Sequence, residues 1–435
     1  MGGFQPEKQS GQAIACFEDA PEEIGARSGG SSSPLLEEEE PGCLTEVSHV
    51  WQSPVVRANS QVVADKKGEG SEGFLVHLNG TRFCLSIWIL ADHFLPGAGV
   101  FVDRANVAVD LFIIMSGFVT QWAYGSRDML SGRTVAQFYV RRIGRVFLPT
   151  YLSMISAAVL MVTVLDKPVS VLHMLGCLCF LEPWREPEDW CPNGQIWTIA
   201  ALLPSWLLFP VWKSLVATVE ARRGAQGLVG AMVVFWVLAF GPSLVVFAAG
   251  GGWITQRQHA FLYLWPPSQL ADFALGMVTG ALARRHVDGG PTARTRGFLA
   301  DAALAVMVCI VMAAPPSGQH RGWEPLYNHG LALVLASYLY GSTAAGGSGA
   351  AASVLSLKPL ACMGKYSLEI FLFQQPLYSL YEHLWLFWLR DYGIRRWHVA
   401  TVYMLTLFSL AALYGEFVEV PYVRWLKSTT LRWAA

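Results

Sequence analysis

Apolar blocks about as long as a bilayer is thick recur from Phe83 almost to the C-terminus, separated by short polar turns. A helix needs about 20 mostly apolar residues to cross a hydrocarbon core about 30 Å thick. The pattern predicts ten spans: one near Phe83–Val100, with room for an earlier start, then Val107–Tyr124, Val146–Leu165, Ile196–Val216, Leu228–Ala249, Ala260–Ala283, Phe298–Ala314, His329–Ala345, Tyr366–Leu389 and His398–Val418. Val169–Leu181 is apolar but short, and reads as a re-entrant or interfacial piece. No connecting segment is long enough for a soluble domain. The expected fold class is all-α, a polytopic membrane helix bundle.

Composition supports this and divides the chain. Of 435 residues, 53% are hydrophobic and 14% charged, against about a quarter charged in soluble proteins. Residues 1–74 differ from the rest: they hold the run Glu37–Glu40, a Ser/Gly/Pro cluster at Ser28–Pro34 and few aromatics. Such a segment buries too little apolar surface to offset its ordering, and reads as a disordered cytoplasmic tail. Charged residues near the start interrupt any signal-peptide core, and Pro6 occupies the position where a myristoylation motif has Ser or Thr. Residues 75–425 form the expected membrane domain and 426–435 a short cytoplasmic tail. A net charge of −1 gives no field that suggests nucleic acid. The eight cysteines are scattered without zinc-ligand spacing and read as small buried thiols, so no metal is expected.

Lys and Arg orient the bundle. The loop after the second span carries Arg127, Arg133, Arg141, Arg142 and Arg145, which places it and the N-terminus in the cytoplasm. Arg390, Arg395 and Arg396 go against the rule.

Ionisable residues inside spans are costly and are therefore candidates for function. Arg82 and His93 are eleven positions apart. At about 100° per residue they share one helical face, about 16 Å apart along the axis. Snorkelling of Arg82 and simple packing of His93 would give the same pattern. Asp110 lies inside the second span, where it could pair with Arg104 or a neighbouring helix, and Ser116-Gly117 permits close helix contact. Arg141, Arg142 and Arg145 either obey the positive-inside rule or offer a forked phosphate site.

Together these strings resemble acyltransferase family 3, the membrane acyltransferases of the O-antigen acetylase type. Arg82 and His93 match the family's Arg, ten residues, His. Val109–Phe118 looks like "VDLFFxxSGF", and Arg141–Tyr151 like the arginine strip before Pro-x-Tyr, with one residue more between Arg145 and Pro149. Leu270–Gly280, Met363–Pro376 and Glu416–Pro421 resemble three later motifs. Two segments depart from the pattern. Trp197–Pro210 aligns with "WSLSVEWQFYLLFP", but Leu202 replaces the acidic residue and Ser205-Trp206 the aromatic pair. The late His is Gln374.

The resemblance implies ten core spans and transfer of an acyl group, acetyl above all, from acyl-CoA to a hydroxyl of a carbohydrate or lipid acceptor. His93 would be the base, and Arg82 with Arg141, Arg142 and Arg145 would bind donor phosphates. Asp110 would orient His93 or an arginine, and Glu369 and Glu416 are candidates for the missing carboxylate. Trp184 and Trp190 suit either sugar stacking or an aromatic belt. A transporter with spans broken at Phe240–Ser243 and Trp265–Ser268, or an inactive lipid- or sterol-sensing relative, are the alternatives.

Overall fold

The computed structural model describes residues 75–95, 99–185, 191–287, 290–313, 323–344 and 349–432. Among these, every regular element is helical. The expected tail 1–74 and Trp190 lie outside the described residues.

The main helices are α1 (Val76–Phe94), α2 (Asn106–Tyr124), α3 (Gly132–Thr163), α4 (Val171–Leu178), α5 (Ile196–Leu207) and α6 (Phe209–Ala249). They are followed by α7 (Leu270–Arg285), α8 (Ala293–Ala313), α9 (Glu324–Ser342), α10 (Ser367–Leu384), α11 (Arg396–Tyr414) and α12 (Val420–Arg432). Five helical segments are long and apolar enough to cross a membrane: Val102–Tyr124, Gly132–Thr163, Phe209–Ala249, Ala293–Ala313 and Arg396–Thr430. Four of these form an outer belt. Val159 and Val162 of α3, Val234 and Val245 of α6, Val306 of α8 and Leu405 of α11 all face outward, as suits a hydrocarbon solvent. Helices α1, α7, α9 and α10 lie further inside and carry Arg82, His93, Asp272, His329 and Glu369. A helix shielded by others can hold polar side chains, which is why hydropathy marks the belt more plainly than the centre.

Several predicted boundaries shift. The first helix takes the earlier start, at Val76, which puts Arg82 in its second turn. Chain at Leu208 breaks the predicted fourth span between α5 and α6, beside Pro210, which has no N–H to donate. Helix α6 then carries the rest of the predicted fourth span and all of the fifth. Gly224, at φ 58° and ψ −144°, turns the chain inside α6 in a conformation that side chains with a Cβ rarely adopt. Helix α6 runs through Pro242 without a break, whereas the predicted sixth span is interrupted at Trp265 before Pro266-Pro267. Of the two breaks expected for a transporter, only the second is present.

Close backbone contact holds the centre together. A Cβ on Gly276 would lie 1.9 Å from the Ile114 carbonyl oxygen, and one on Gly117 2.0 Å from that of Phe273. Gly280 lies against Phe118 in the same way, so α2 and α7 cross where only glycine fits. On α1, His77 meets Ser342 at 3.1 Å and Thr81 meets Tyr338 at 2.6 Å. As one index rises by four the other falls by four, so α1 and α9 are antiparallel. Ser86 donates to the Ser367 carbonyl, and the His93 ring lies beside the Gln374 side chain. Here both indices rise by seven, so α1 and α10 are parallel.

The cysteines depart from the expectation. Cys177 and Cys191 form a disulfide with Cα atoms 5.8 Å apart, and Cys84, Cys179 and Cys309 are exposed rather than buried. The short apolar piece is helix α4, which carries Cys177.

Candidate functional site

Helix α1 runs unbroken from Val76 to Phe94, so Arg82 and His93 keep the shared face and spacing that the sequence predicts. His93 is exposed at the surface of the chain although amides flank it. Gln195 Nε2 lies 3.3 Å from His93 Nδ1, and the Gln374 side chain comes from α10. Both amides are buried, Gln195 at 7% and Gln374 at 1% exposure. Gln374 donates to the Phe371 carbonyl, which leaves its Oε1 as the end free for the imidazole.

Gln195 is a member that sequence reasoning missed. Its place is fixed from behind by Asn193, which is fully buried and donates to Ser153 Oγ at 3.1 Å and to the Leu372 carbonyl at 2.8 Å. Asn193 Oδ1 in turn accepts from the Gln195 backbone N–H. Two residues upstream, Cys191 is tied to α4. The segment Cys191–Gln195 is therefore anchored to α3, α4 and α10 before it reaches His93. His173 lies close to the two bonded sulfurs, but the S–S bond leaves no thiolate there to ligate a metal.

At the other end of α1 the arginines gather. Arg82 lies within electrostatic range of Arg142 and Arg145, and Arg142 within range of Arg145. Arg142 donates to Ser116 Oγ at 2.8 Å, and its guanidinium lies 5.3 Å from the centre of the Trp206 ring. The Trp206 indole N–H donates to the same Ser116 oxygen at 3.1 Å. Trp206, which looked like a departure, thus orients an arginine. Arg145 is paired with Glu419 at 2.6 Å, and buried Glu369 lies within range of both. Arg141 points elsewhere, to Thr430 of α12 at 2.8 Å.

Asp110 does not join His93. It is fully buried, neither carboxylate oxygen has a hydrogen-bond partner among the described residues, and its charged neighbours are Asp272 and His329. Those two form a pair at 2.8 Å, and His329 also meets the Leu262 carbonyl. Nor does Asp110 bond Arg104, whose guanidinium lies over Tyr327. Of the carboxylates considered for the missing acid, Glu416 is exposed and held by Lys365 and Tyr366. Leu202 is buried, with no ionisable group restored at its position. Trp184 is exposed and has an edge-on partner in Trp265.

No solved structure matches the chain. It is 27% identical over 213 residues to the acyltransferase MdmB of Streptomyces mycarofaciens, a stretch that covers 46% of this chain and 52% of that protein. The chain thus spans about half the length of this curated relative. The family profile described as an acyltransferase domain matches residues 75–416, from the turn that starts α1 to the end of α11. That match takes in His93, the arginines and both amides, and the chain belongs to acyltransferase family 3.

Proposed function

We propose that this chain is a membrane enzyme that moves an acyl group, acetyl above all, from acyl-CoA to a hydroxyl of a carbohydrate or lipid. One observation carries the reading. An exposed imidazole, flanked by two buried amides, lies about 16 Å along one helix from a cluster of three arginines. An extended pantetheine arm, some thirteen bonds, spans on the order of 16 Å at standard bond lengths. A donor whose diphosphate is held by Arg82, Arg142 and Arg145 therefore presents its thioester to His93.

In the step we propose, the acceptor oxygen bonds to the thioester carbonyl carbon, and His93 takes the hydroxyl proton. The C–S bond then breaks, and the proton passes from His93 to the departing sulfur. The products are an ester and free CoA. The base needs Nε2 unprotonated and Nδ1 protonated. A half-turn of the Gln195 carboxamide puts its oxygen on Nδ1–H and selects that tautomer.

The reading includes ten crossings with a cytoplasmic N-terminus. Support comes from the pairing directions: α1 runs parallel to α10 and antiparallel to α9, as alternate crossings require. The disulfide between α3 and α5 supports an outer loop there, since disulfides persist in oxidising compartments.

Transfer of label from acetyl-CoA to membrane glycans or lipids by purified protein tests the function. Failure of transfer together with lipid or sterol binding would favour the inactive relative, to which Leu202 and Gln374 point.

A further inference from the structure

Helices α2 and α7 pack in a register that places two buried acids together. A Cβ on Gly276 would meet the Ile114 carbonyl oxygen and one on Gly280 that of Phe118, while Arg284 donates to the Trp122 carbonyl at 3.4 Å. Both indices rise by four together, so the helices are parallel. One turn earlier, the same register sets Asp110 beside Asp272. A third helix joins them there. Asp272 Oδ2 lies 2.8 Å from His329 Nδ1 of α9, and His329 Nε2 meets the Leu262 carbonyl at 2.9 Å. Two carboxylates and an imidazole thus share one layer of the bundle, none of them more than 1% exposed.

Hydrogen-bonding capacity in this layer is unevenly met. An acceptor stands at each nitrogen of His329, so both carry hydrogens and the ring is a cation. Asp272 Oδ1 and both oxygens of Asp110 have no hydrogen-bond partner among the described residues. The same holds for Oε1 of Gln269, a fully buried amide one turn before Asp272. Gln269 is fixed by donation from its Nε2 to the Tyr263 carbonyl. The charged neighbours of Asp110 are His329 and Asp272, whereas Arg104 has Glu324 and Tyr327 beside it.

The layer therefore sets two carboxylates against one imidazolium, where burial makes an uncompensated charge costly. The positive ends of α2 and α7 offset part of that charge, yet their N–H groups donate to none of these four oxygens. A proton on Asp110 would cancel the charge, but it brings one donor for four acceptors. A hard metal cation takes several oxygen ligands at once. The interrupted stretch Ala260–Gln269 contributes the Leu262 carbonyl and Gln269 at this end of the helices. Irregular backbone at membrane depth is tolerated where it is buried in protein, and it also builds ion sites.

We propose that a monovalent metal cation, sodium above all, binds between α2 and α7, held by Asp110, Asp272 Oδ1 and Gln269 Oε1, and pins the starts of the two helices together. The inference goes beyond acyl transfer and does not rest on it. No covalent step is involved.

The measurement is equilibrium binding of radioactive Na⁺ to full-length protein in detergent at pH 8, with N-methyl-D-glucamine as the background cation. Melting temperature is read in parallel as Na⁺ is raised to about 150 mM. Wild-type protein is expected to take up one saturable Na⁺ per chain and to melt at least about 3 °C later when it is bound. Asp110→Asn should lose both responses, and should melt no earlier than wild type does without Na⁺, because the amide keeps the shape and removes the buried charge. Asp110→Ser is the second variant, for use if the amide does not accumulate. Wild-type protein that takes up no saturable Na⁺ and melts alike in both salts overturns the inference and assigns the neutralisation of Asp110 to a proton. Saturable Na⁺ retained by the variants overturns it as well, since the ion then sits elsewhere.

Discussion

Gln195 reaches Nδ1 of His93 across 102 positions of sequence, at 3.3 Å. The contact joins the loop after the disulfide to the end of α1, and sets the orientation of the ring that the proposed reaction uses.

Replacing this amide tests the orientation. Gln195→Ala is expected to lower turnover about tenfold, the worth of one hydrogen bond to a positioned group, with the donor KM unchanged. The pH–rate profile should shift as well, since the tautomer is no longer selected. Wild-type turnover with an unmoved profile would assign Gln195 to packing alone.

His93 itself should matter far more. His93→Ala is expected to reduce turnover by roughly 10² to 10⁴, and His93→Gln by nearly as much, because an amide cannot take up a proton at working pH. Arg82→Lys should act mainly on donor KM, as a point charge replaces a planar fork. Steady-state kinetics at equal protein level separates the two, and a fully active Gln variant would remove the base from the mechanism.

The disulfide makes a prediction about both stability and side. Opening a loop of 14 residues between Cys177 and Cys191 should cost about 3 kcal/mol on the loop-entropy account. Cys177→Ser with Cys191→Ser should therefore melt earlier and lose activity as the segment Cys191–Gln195 loosens. In sealed cells an impermeant reductant and alkylating agent should reach this pair but not a cysteine placed at Ser131. Labelling at position 131 alone would invert the proposed topology.

Gly276 tests the centre of the bundle. With its Cβ 1.9 Å from the Ile114 carbonyl oxygen, Gly276→Ala forces α2 and α7 apart. The expected loss is at least about 2 kcal/mol, at the upper part of the overpacking range, read as a lower melting temperature in detergent. Gly132→Ala, which meets nothing within 4 Å, is the matched control.

The helices were legible because span hydrophobicity is a local property of the chain. The shared face of Arg82 and His93 was legible for the same reason, since it needs only helical geometry within one segment. What escaped depends on distant pairing. Cys177 and Cys191 carry no spacing signature, and Asn193 and Gln195 read as ordinary loop residues until α10 and α1 are placed beside them. Asp110 looked available to His93, yet α2 turns it toward α7 and α9, where Asp272 and His329 lie. Residues Leu426 to Arg432 read as a tail because a short polar helix has no apolar run to announce it. Its docking onto α3 rests on side chains such as Tyr422 and Thr430.

The pair Arg145–Glu419 also bears on how the protein is made. Its partners are 274 positions apart, so at a synthesis rate of about 5–20 residues per second the arginine waits on the order of 14–55 s for its carboxylate. During that interval α3 already carries Arg145, with Glu419 still in or beyond the ribosome. Biogenesis therefore passes through an intermediate in which the ion pair Arg145–Glu419 has yet to form.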